Sequence, residues 1–162
     1  MPQLRVPTAN DYERSVLRNV QTFGWHCTSV FSKTNDPAEP PFSYTVGLQE
    51  SYGGPEFIMF GLESKVAHSI LGLCAERLKD MRPLDLNQLN HDLIDGYPCL
   101  FVQVPRDRYN DYVYSALWFY AELEFPMFQI VWPDSDGRFP WHQGADESFK
   151  LSQPVLGQPA GV

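Results

Sequence analysis

The sequence predicts a single α+β domain in which a mostly antiparallel sheet packs against about three helices, with a partial barrel as an open alternative. A chain of 162 residues has the ordinary length of one domain, and a hydrophobic content of 43% suits a packed core. Segments with helical and strand patterning follow one another along the chain. The early strands are joined by short links, which favour antiparallel pairing.

The first half of the chain predicts one helix and three strands. Asn10 is a good N-cap, Glu13 completes a capping-box pattern, and Gly24 provides a C-cap for the helix between them. Alternation of apolar and polar residues predicts strands over residues 25–32 and from Phe42 to Val46. Residues 57–62 are apolar on both alternate faces, so we expect a central strand that is covered on both sides.

The second half predicts two more helices and two more strands. Ser64 precedes a helix over about residues 65–80, whose apolar stripe comprises Val66, Ile70, Leu73, Cys74 and Leu78. Residues 99–104 and 127–132 have strand patterns, and residues 109–122 form a helix that is apolar almost all round. Asp134 to Gly137 has the signature of a type I turn, which folds residues 138–141 back as a short return strand.

These elements define the expected domain boundaries. Residues 1–9 are polar and contain prolines, which predicts a loose lead-in. Residues 10–144 carry the patterned segments and predict the single globular domain. Residues 145–162 contain Pro154 and Pro159 and predict an extended C-terminal tail.

Charge and composition exclude several classes of function. The net charge is −8, and the basic residues are scattered rather than clustered, so we expect no nucleic-acid partner. No apolar run has the roughly 18 residues of a membrane span, and the N-terminus lacks a signal-peptide pattern. Cys27, Cys74 and Cys99 are odd in number and widely spaced, which predicts free thiols in a cytoplasmic protein.

No catalytic or metal-binding motif is present in the sequence. The four histidines, His26, His68, His91 and His142, fall on different predicted elements and lack ligand spacing, so we expect no metal site. The Asp134–Gly137 turn imitates part of a calcium loop, but the flanking positions are wrong for oxygen ligands. Catalytic residues and cofactors are therefore not assigned.

An aromatic cluster provides the candidate ligand site. Strand ends and the turn at Asp134 bring tryptophans together beside Gln129, an amide that is costly to bury without a partner. We expect one concavity with Asp134 and Arg138 at its rim, lined by Tyr44, Trp118, Gln129, Trp132 and Trp141. The alternative is that the tryptophans only hold the return segment against the core.

Several sequence blocks together resemble a bacterial family of unknown function. They are PPFSYTVGL (40–48), QESYGGP (49–55) and EFIMFGL (56–62), with GWH at 24–26, GYP at 96–98, WFY at 118–120 and WPD followed by GRFPW over 132–141. In order and spacing they resemble the family catalogued as domain of unknown function 4262, over about residues 23–157. The resemblance carries no activity with it.

Two main classes of function remain open, beside a third, a hydrolase or transferase with scattered catalytic groups, for which the sequence has no motif. The first is a small-molecule-binding domain with an aromatic pocket, flavin-like or redox-related, because EFIMFGL and the helix after it resemble part of the flavin-reductase-like split barrels. No phosphate site for a flavin is readable, however, and fold likeness alone does not give function. The alternative is a protein-interaction module such as an antidote or a regulator, which suits a small, acidic, aromatic-rich chain.

Overall fold

A computed structural model describes residues 9–32, 34 and 36–159. Residues 1–8, most of the predicted lead-in, lie outside the described residues. The described part contains five strands, six helices and one 3-10 turn at Arg106–Arg108. In chain order they are α1 (Asp11–Phe23), β1 (His26–Val30), β2 (Phe42–Val46), α2 (Leu48–Tyr52), β3 (Glu56–Phe60), α3 (Ser64–Lys79), β4 (Leu100–Gln103), α4 (Tyr109–Tyr112), α5 (Tyr114–Tyr120), β5 (Met127–Val131) and α6 (Glu147–Ser152).

The strands form one open mixed sheet in the order β1-β2-β3-β5-β4. The pairs β1–β2, β2–β3 and β4–β5 are antiparallel, and β3–β5 is parallel. The predicted α+β class is confirmed, and the sheet does not close into a barrel. All five residues of β3 are buried, which confirms that this apolar segment is the central strand.

Helices cover both faces of the sheet, and each face has its own apolar core. Helices α1, α4 and α5 pack on one face, where Ile58 and Phe60 of β3 point. Helix α3 packs on the other face against Phe57 and Met59. This division explains why the residues of β3 from Phe57 to Phe60 are all apolar, because successive side chains of a strand point to opposite faces and each face has its own core.

Helix α1 has the predicted ends. The Asn10 side chain accepts a hydrogen bond from the Glu13 N–H, and the Glu13 carboxylate accepts one from the Asn10 N–H. Gly24 closes the helix with a positive φ of 91°. Helix α3 begins at Ser64, one residue before the predicted start; Glu63 rather than Ser64 occupies the N-cap position, and no side chain caps the helix.

The predicted stripe on α3 is partly wrong. Ile70 and Cys74 are buried, whereas Val66 and Leu73 are 46% and 41% exposed. The other buried residues are Ala67, Leu71 and Ala75. Small alanines let the helix approach the sheet on this side, so the buried face is rotated from the one that the large residues marked.

The predicted helix over residues 109–122 is broken into α4 and α5. The break falls at Val113, whose φ of −106° and ψ of 57° are not helical. The side chain of Val113 is buried, and the Ser115 N–H in the first turn of α5 donates to the Tyr44 hydroxyl. The break thus turns the aromatic segment so that Tyr114, 66% exposed, points away from the core.

The predicted extended tail is instead a short helix and a packed segment. Helix α6 is followed by Gln153, whose side-chain amide donates to the Trp132 carbonyl and accepts from the Trp132 N–H. Leu156 is buried in the α1–α4–α5 core. Residues 138–141 return after the Asp134 turn as predicted, but they form no strand.

Candidate functional site

The residues of the predicted ligand site are divided among three packing clusters. Tyr44 and Trp118 belong to the core beneath α1 and α5. Trp132 lies on the opposite face, where its indole N–H donates to the Phe60 carbonyl at 2.9 Å. Trp141 belongs to a third cluster, in which its ring stacks on Phe139.

The polar members of the predicted site have partners within the chain. Gln129 is fully buried; its amide nitrogen donates to the Pro154 carbonyl at 2.7 Å, and its oxygen accepts from the Leu156 N–H at 2.9 Å. Asp134 accepts from the Arg138 N–H and supports the turn. These bonds give the buried Gln129 amide its hydrogen-bond partners without a ligand. A shared ligand-binding role for the seven predicted residues stays a prediction.

A different group of aromatic residues lines a cavity, which we call the aromatic pocket. Its volume is about 350 Å³, and it lies where β2 begins, β3 ends and α4 ends. The lining residues come from these elements, from the loop before β2 and from the C-terminal segment: Val30, Phe31, Ser32, Ala38, Glu39, Pro40, Phe42, Phe60, Asp111, Tyr112 and Pro154.

Three rings form the floor of the aromatic pocket. Phe42 and Phe60 are directly opposite each other in the β2–β3 pair, with ring centroids 5.1 Å apart. The Tyr112 ring meets both edge-on, at 5.4 Å from Phe42 and 5.2 Å from Phe60. Phe31 lines the same cavity and is 66% exposed. Such a floor offers a large apolar surface and ring faces that attract positive charge.

Two charged residues among the described residues line the aromatic pocket, and both are acidic. Glu39 and Asp111 contribute carboxylates, and within residues 9–32, 34 and 36–159 no lysine, arginine or histidine is among the lining residues. Asp111 pairs with Arg108 at 3.4 Å, and the Arg108 guanidinium lies 5.8 Å from the Tyr112 ring centroid. The lining therefore disfavours a negatively charged ligand.

The comparisons with known proteins can be set beside this geometry. The family model described as domain of unknown function (DUF4262) matches residues 19–146. The chain belongs to the DUF4262 family. Neither the curated proteins nor the solved structures give a match. Apart from Pro154, all the residues that line the aromatic pocket of this DUF4262 chain lie within the matched range.

The central strand β3 of the DUF4262 chain begins with a buried carboxylate. Glu56 is fully buried and accepts hydrogen bonds from Thr45 Oγ1, from the Tyr120 hydroxyl and from three consecutive N–H groups, those of Gly47, Leu48 and Gln49. Burial raises the pKa of the Glu56 carboxyl above its usual range, and the hydrogen bonds oppose that rise. Its partners are all within the protein, so Glu56 holds the turn into α2.

A hydrogen-bonded chain of polar side chains lies between α1 and β1. The Asn19 amide lies 2.9 Å from His26 Nδ1, and the Tyr12 hydroxyl lies 2.9 Å from His26 Nε2 and 2.8 Å from Thr28 Oγ1. If Asn19 donates to Nδ1, the neutral ring carries its proton on Nε2 and donates to Tyr12. Burial lowers the pKa of His26, and His68 lowers it further. Sequence reasoning missed this chain because it joins two elements.

Two cavities of about 370 and 510 Å³ share Cys27 and His68, and the smaller one is also lined by Asn19 and His26. Trp25 stacks on His68 with ring centroids 5.4 Å apart. Burial raises the pKa of the Cys27 thiol to about 11, so this thiol is a poor nucleophile at neutral pH. The structure thus gives no support to a catalytic Cys27.

Three further structural findings concern metal ligands, membrane spans and cysteines. Within residues 9–32, 34 and 36–159, no three metal-ligating side chains are grouped to hold an ion. No helix in the described part of the chain is long and apolar enough to cross a membrane. All three cysteines are free.

Proposed function

We propose that this DUF4262 protein binds a small organic molecule with an apolar or aromatic body in the aromatic pocket. The observation that supports this best is the meeting of Phe42, Phe60 and Tyr112 at the floor of one cavity. An apolar concavity with a few polar groups is the usual form of a ligand site. The function class is the one that the sequence indicated, at a different set of residues.

The lining of the aromatic pocket restricts the size and the charge of the ligand. A volume of about 350 Å³ is near the lower end of the roughly 300–1,000 Å³ of ligand pockets, which suits a body of one or two rings. Among the described residues the charged lining groups are Glu39 and Asp111, and they favour a ligand that is neutral or carries a positive charge. A phosphate-bearing flavin would place its negative charge beside these carboxylates, so flavin is a poor candidate at this site.

The position of the pocket also suits binding. It lies at the carboxyl end of β3, one of the two parallel strands, where open α/β sheets commonly place their ligands. Phe42 and Phe60 are fixed by the sheet, while Phe31 and Glu39 lie in the segment between β1 and β2. A rigid floor with a loop above it requires little reorganisation of the floor on binding.

A thermal-shift screen tests the proposal. The purified protein is mixed with one- and two-ring compounds that are matched in shape and are neutral, cationic or anionic. Binding to the folded state raises the melting temperature, and the rise grows with the logarithm of the ligand concentration once this exceeds the dissociation constant. We expect hits among the neutral and cationic compounds and none among their anionic counterparts.

Matched variants locate the site of a hit. Phe31→Ala removes a lining ring, and Tyr114→Ala removes an equally exposed ring that does not line the pocket. Both residues are 66% exposed, so neither change should lower stability by more than about 0.5 kcal/mol. We expect Phe31→Ala to weaken a hit at least about tenfold, or about 1.4 kcal/mol, and Tyr114→Ala to leave it unchanged.

The proposal fails if no compound binds saturably, or if every hit is indifferent to Phe31→Ala. Anionic compounds that bind as tightly as their cationic counterparts would also contradict it. A protein-interaction module would then become the better hypothesis, with exposed Phe31 as one of its contact residues.

A further inference from the structure

A second cavity lies at the opposite end of α4, and we call it the Arg106 cleft. Its volume is about 640 Å³. It is lined by the end of β4, the 3-10 turn, α4, the segment before β5 and the C-terminal segment: Gln103, Val104, Pro105, Arg106, Tyr109, Glu124, Phe125, Pro126 and Gln158. It shares no lining residue with the aromatic pocket.

Arg106 is positioned by aromatic rings rather than by an acid. Its guanidinium carbon lies 5.1 Å from the Tyr109 ring centroid and 5.7 Å from that of Phe125. The two rings stack on each other at 5.0 Å, and the Tyr109 hydroxyl donates to the Phe125 carbonyl at 2.9 Å. Cation–π contacts with fixed rings hold the guanidinium while its N–H donors stay available.

Opposite charges line this cleft without neutralising each other. Arg106 and Glu124 both line it, and within the described residues neither of them forms an ion pair. Gln103 and Gln158 also line it. The cleft therefore brings one cationic residue, one acidic residue and an aromatic surface together in a single concavity.

We propose that the Arg106 cleft binds a small zwitterion, with its carboxylate on Arg106, its ammonium group on Glu124 and an apolar body against Tyr109 and Phe125. Arginine can engage a carboxylate with two parallel hydrogen bonds, which fixes the orientation of the ligand. The chemical class is that of a free amino acid or a short peptide, because both carry the two charges on one small frame.

A ligand with one charge would satisfy only half of the cleft. A monoanion on Arg106 would lie in the same cavity as the Glu124 carboxylate, and a monocation on Glu124 would meet the Arg106 guanidinium. Like charges brought together in a concave site oppose binding. Selectivity for both charges together is therefore the property that distinguishes this proposal from a simple anion site.

Three probes with one ring test the selectivity. L-Phenylalanine carries both charges, 3-phenylpropionate only the carboxylate, and phenethylamine only the ammonium group. Each is titrated into ¹⁵N-labelled protein, and backbone amide shifts are followed by NMR. We expect saturable binding of L-phenylalanine, with shifts at Gln103 and Arg106, and binding at least about tenfold weaker for each singly charged probe.

Charge variants test the two contacts separately. Arg106→Gln and Glu124→Gln should each weaken L-phenylalanine binding at least about tenfold, whereas Glu122→Gln, an exposed acid two residues from Glu124, should not. The exchanged variant R106E/E124R should recover part of the binding, because it restores one charge of each sign. Unchanged amide spectra outside the cleft show that the variants are folded.

The proposal is overturned if L-phenylalanine does not bind, if 3-phenylpropionate binds equally well, or if Glu124→Gln has no effect. Because the cleft and the aromatic pocket share no lining residue, these results do not depend on the pocket. Phe31→Ala should leave L-phenylalanine binding unchanged, so failure of one proposal is distinguishable from failure of the other.

Discussion

Replacing Glu56 with glutamine tests the buried carboxylate directly. The substitution keeps the size and one acceptor oxygen but puts an NH₂ group in place of the other oxygen. Oε2 accepts from the Gly47 and Gln49 N–H groups, at 3.2 and 3.0 Å, and from the Tyr120 hydroxyl, while Oε1 accepts from Thr45 and Leu48. In either orientation of the new amide, at least two donors lose their acceptor.

The magnitude follows from the number of lost acceptors. Each buried donor without a partner costs about 1–3 kcal/mol, so Glu56→Gln should lower the free energy of unfolding by about 2–6 kcal/mol. Urea unfolding at pH 7, followed by far-ultraviolet circular dichroism, measures this loss. Glu122→Gln, at an exposed position, should change stability by less than about 0.5 kcal/mol.

A second substitution, at Tyr120, tests the same group of hydrogen bonds. Tyr120→Phe removes a hydroxyl that donates to Glu56, which should cost about 1–3 kcal/mol. The double variant should lose less stability than the sum of the two single losses. The Tyr120 hydroxyl and an NH₂ group in place of Oε2 are both donors, and Tyr120→Phe removes this conflict. A loss below about 1 kcal/mol for Glu56→Gln would contradict the interpretation that an ionised Glu56 accepts all five hydrogen bonds. Glutamine would then satisfy the site as well as glutamate does, which would mean that Glu56 is protonated in the folded protein.

Three further predictions concern His26, Cys27 and Gln129. Burial lowers the pKa of His26, so on acidification the unfolded chain takes up its proton before the folded protein does. The stability that neutral His26 contributes is therefore present above its unfolded pKa, about 6.5, and is lost as the pH falls below that value. Urea unfolding between pH 7.5 and 5.5 should show a smaller decrease in the free energy of unfolding for His26→Gln than for the parent protein. Cys27, whose thiol is half-buried with a pKa of about 11, should react with a thiol reagent at pH 8 before the other two cysteines, whereas all three should react at once in urea; a fast native reaction of all three would contradict the packing. Gln129→Leu should leave the Leu156 N–H without its acceptor and cost about 1–3 kcal/mol, with faster hydrogen exchange at Leu156; unchanged exchange there would show that Gln129 does not hold the C-terminal segment.

The local signals in the sequence predicted much of the fold. The capping box at Asn10 and Glu13, the glycine at 24 and the apolar run at 57–62 each depend on neighbours in the chain, and each has the expected structure. The fold class and the family follow from the same segments. Two differences from the prediction depend on tertiary contacts, which no local pattern contains. The helix breaks at Val113 beside the contact of Tyr44 with Ser115, and the C-terminal segment packs against the sheet through the contact of Gln129 with Leu156.

The candidate site was harder to predict than the fold. Gln129 was correctly identified as an amide that needs partners, but its partners lie 25 and 27 residues away in a segment expected to be extended. The aromatic pocket joins Phe42 and Phe60, which neighbouring strands pair, with Tyr112, which reaches them only through the packing of α4. The strand pairing could have been read from the sequence, whereas the contribution of Tyr112 could not.

We expect the floor formed by Phe42, Phe60 and Tyr112 to bind an apolar ligand. Intermolecular nuclear Overhauser effects between the tightest hit of the screen and the isotope-labelled aromatic rings of the protein show where the ligand lies. We expect contacts from the ligand to the Phe42, Phe60 and Tyr112 rings. Contacts confined to Tyr109 and Phe125, or to the tryptophans, would contradict it, because they would place the ligand outside the aromatic pocket.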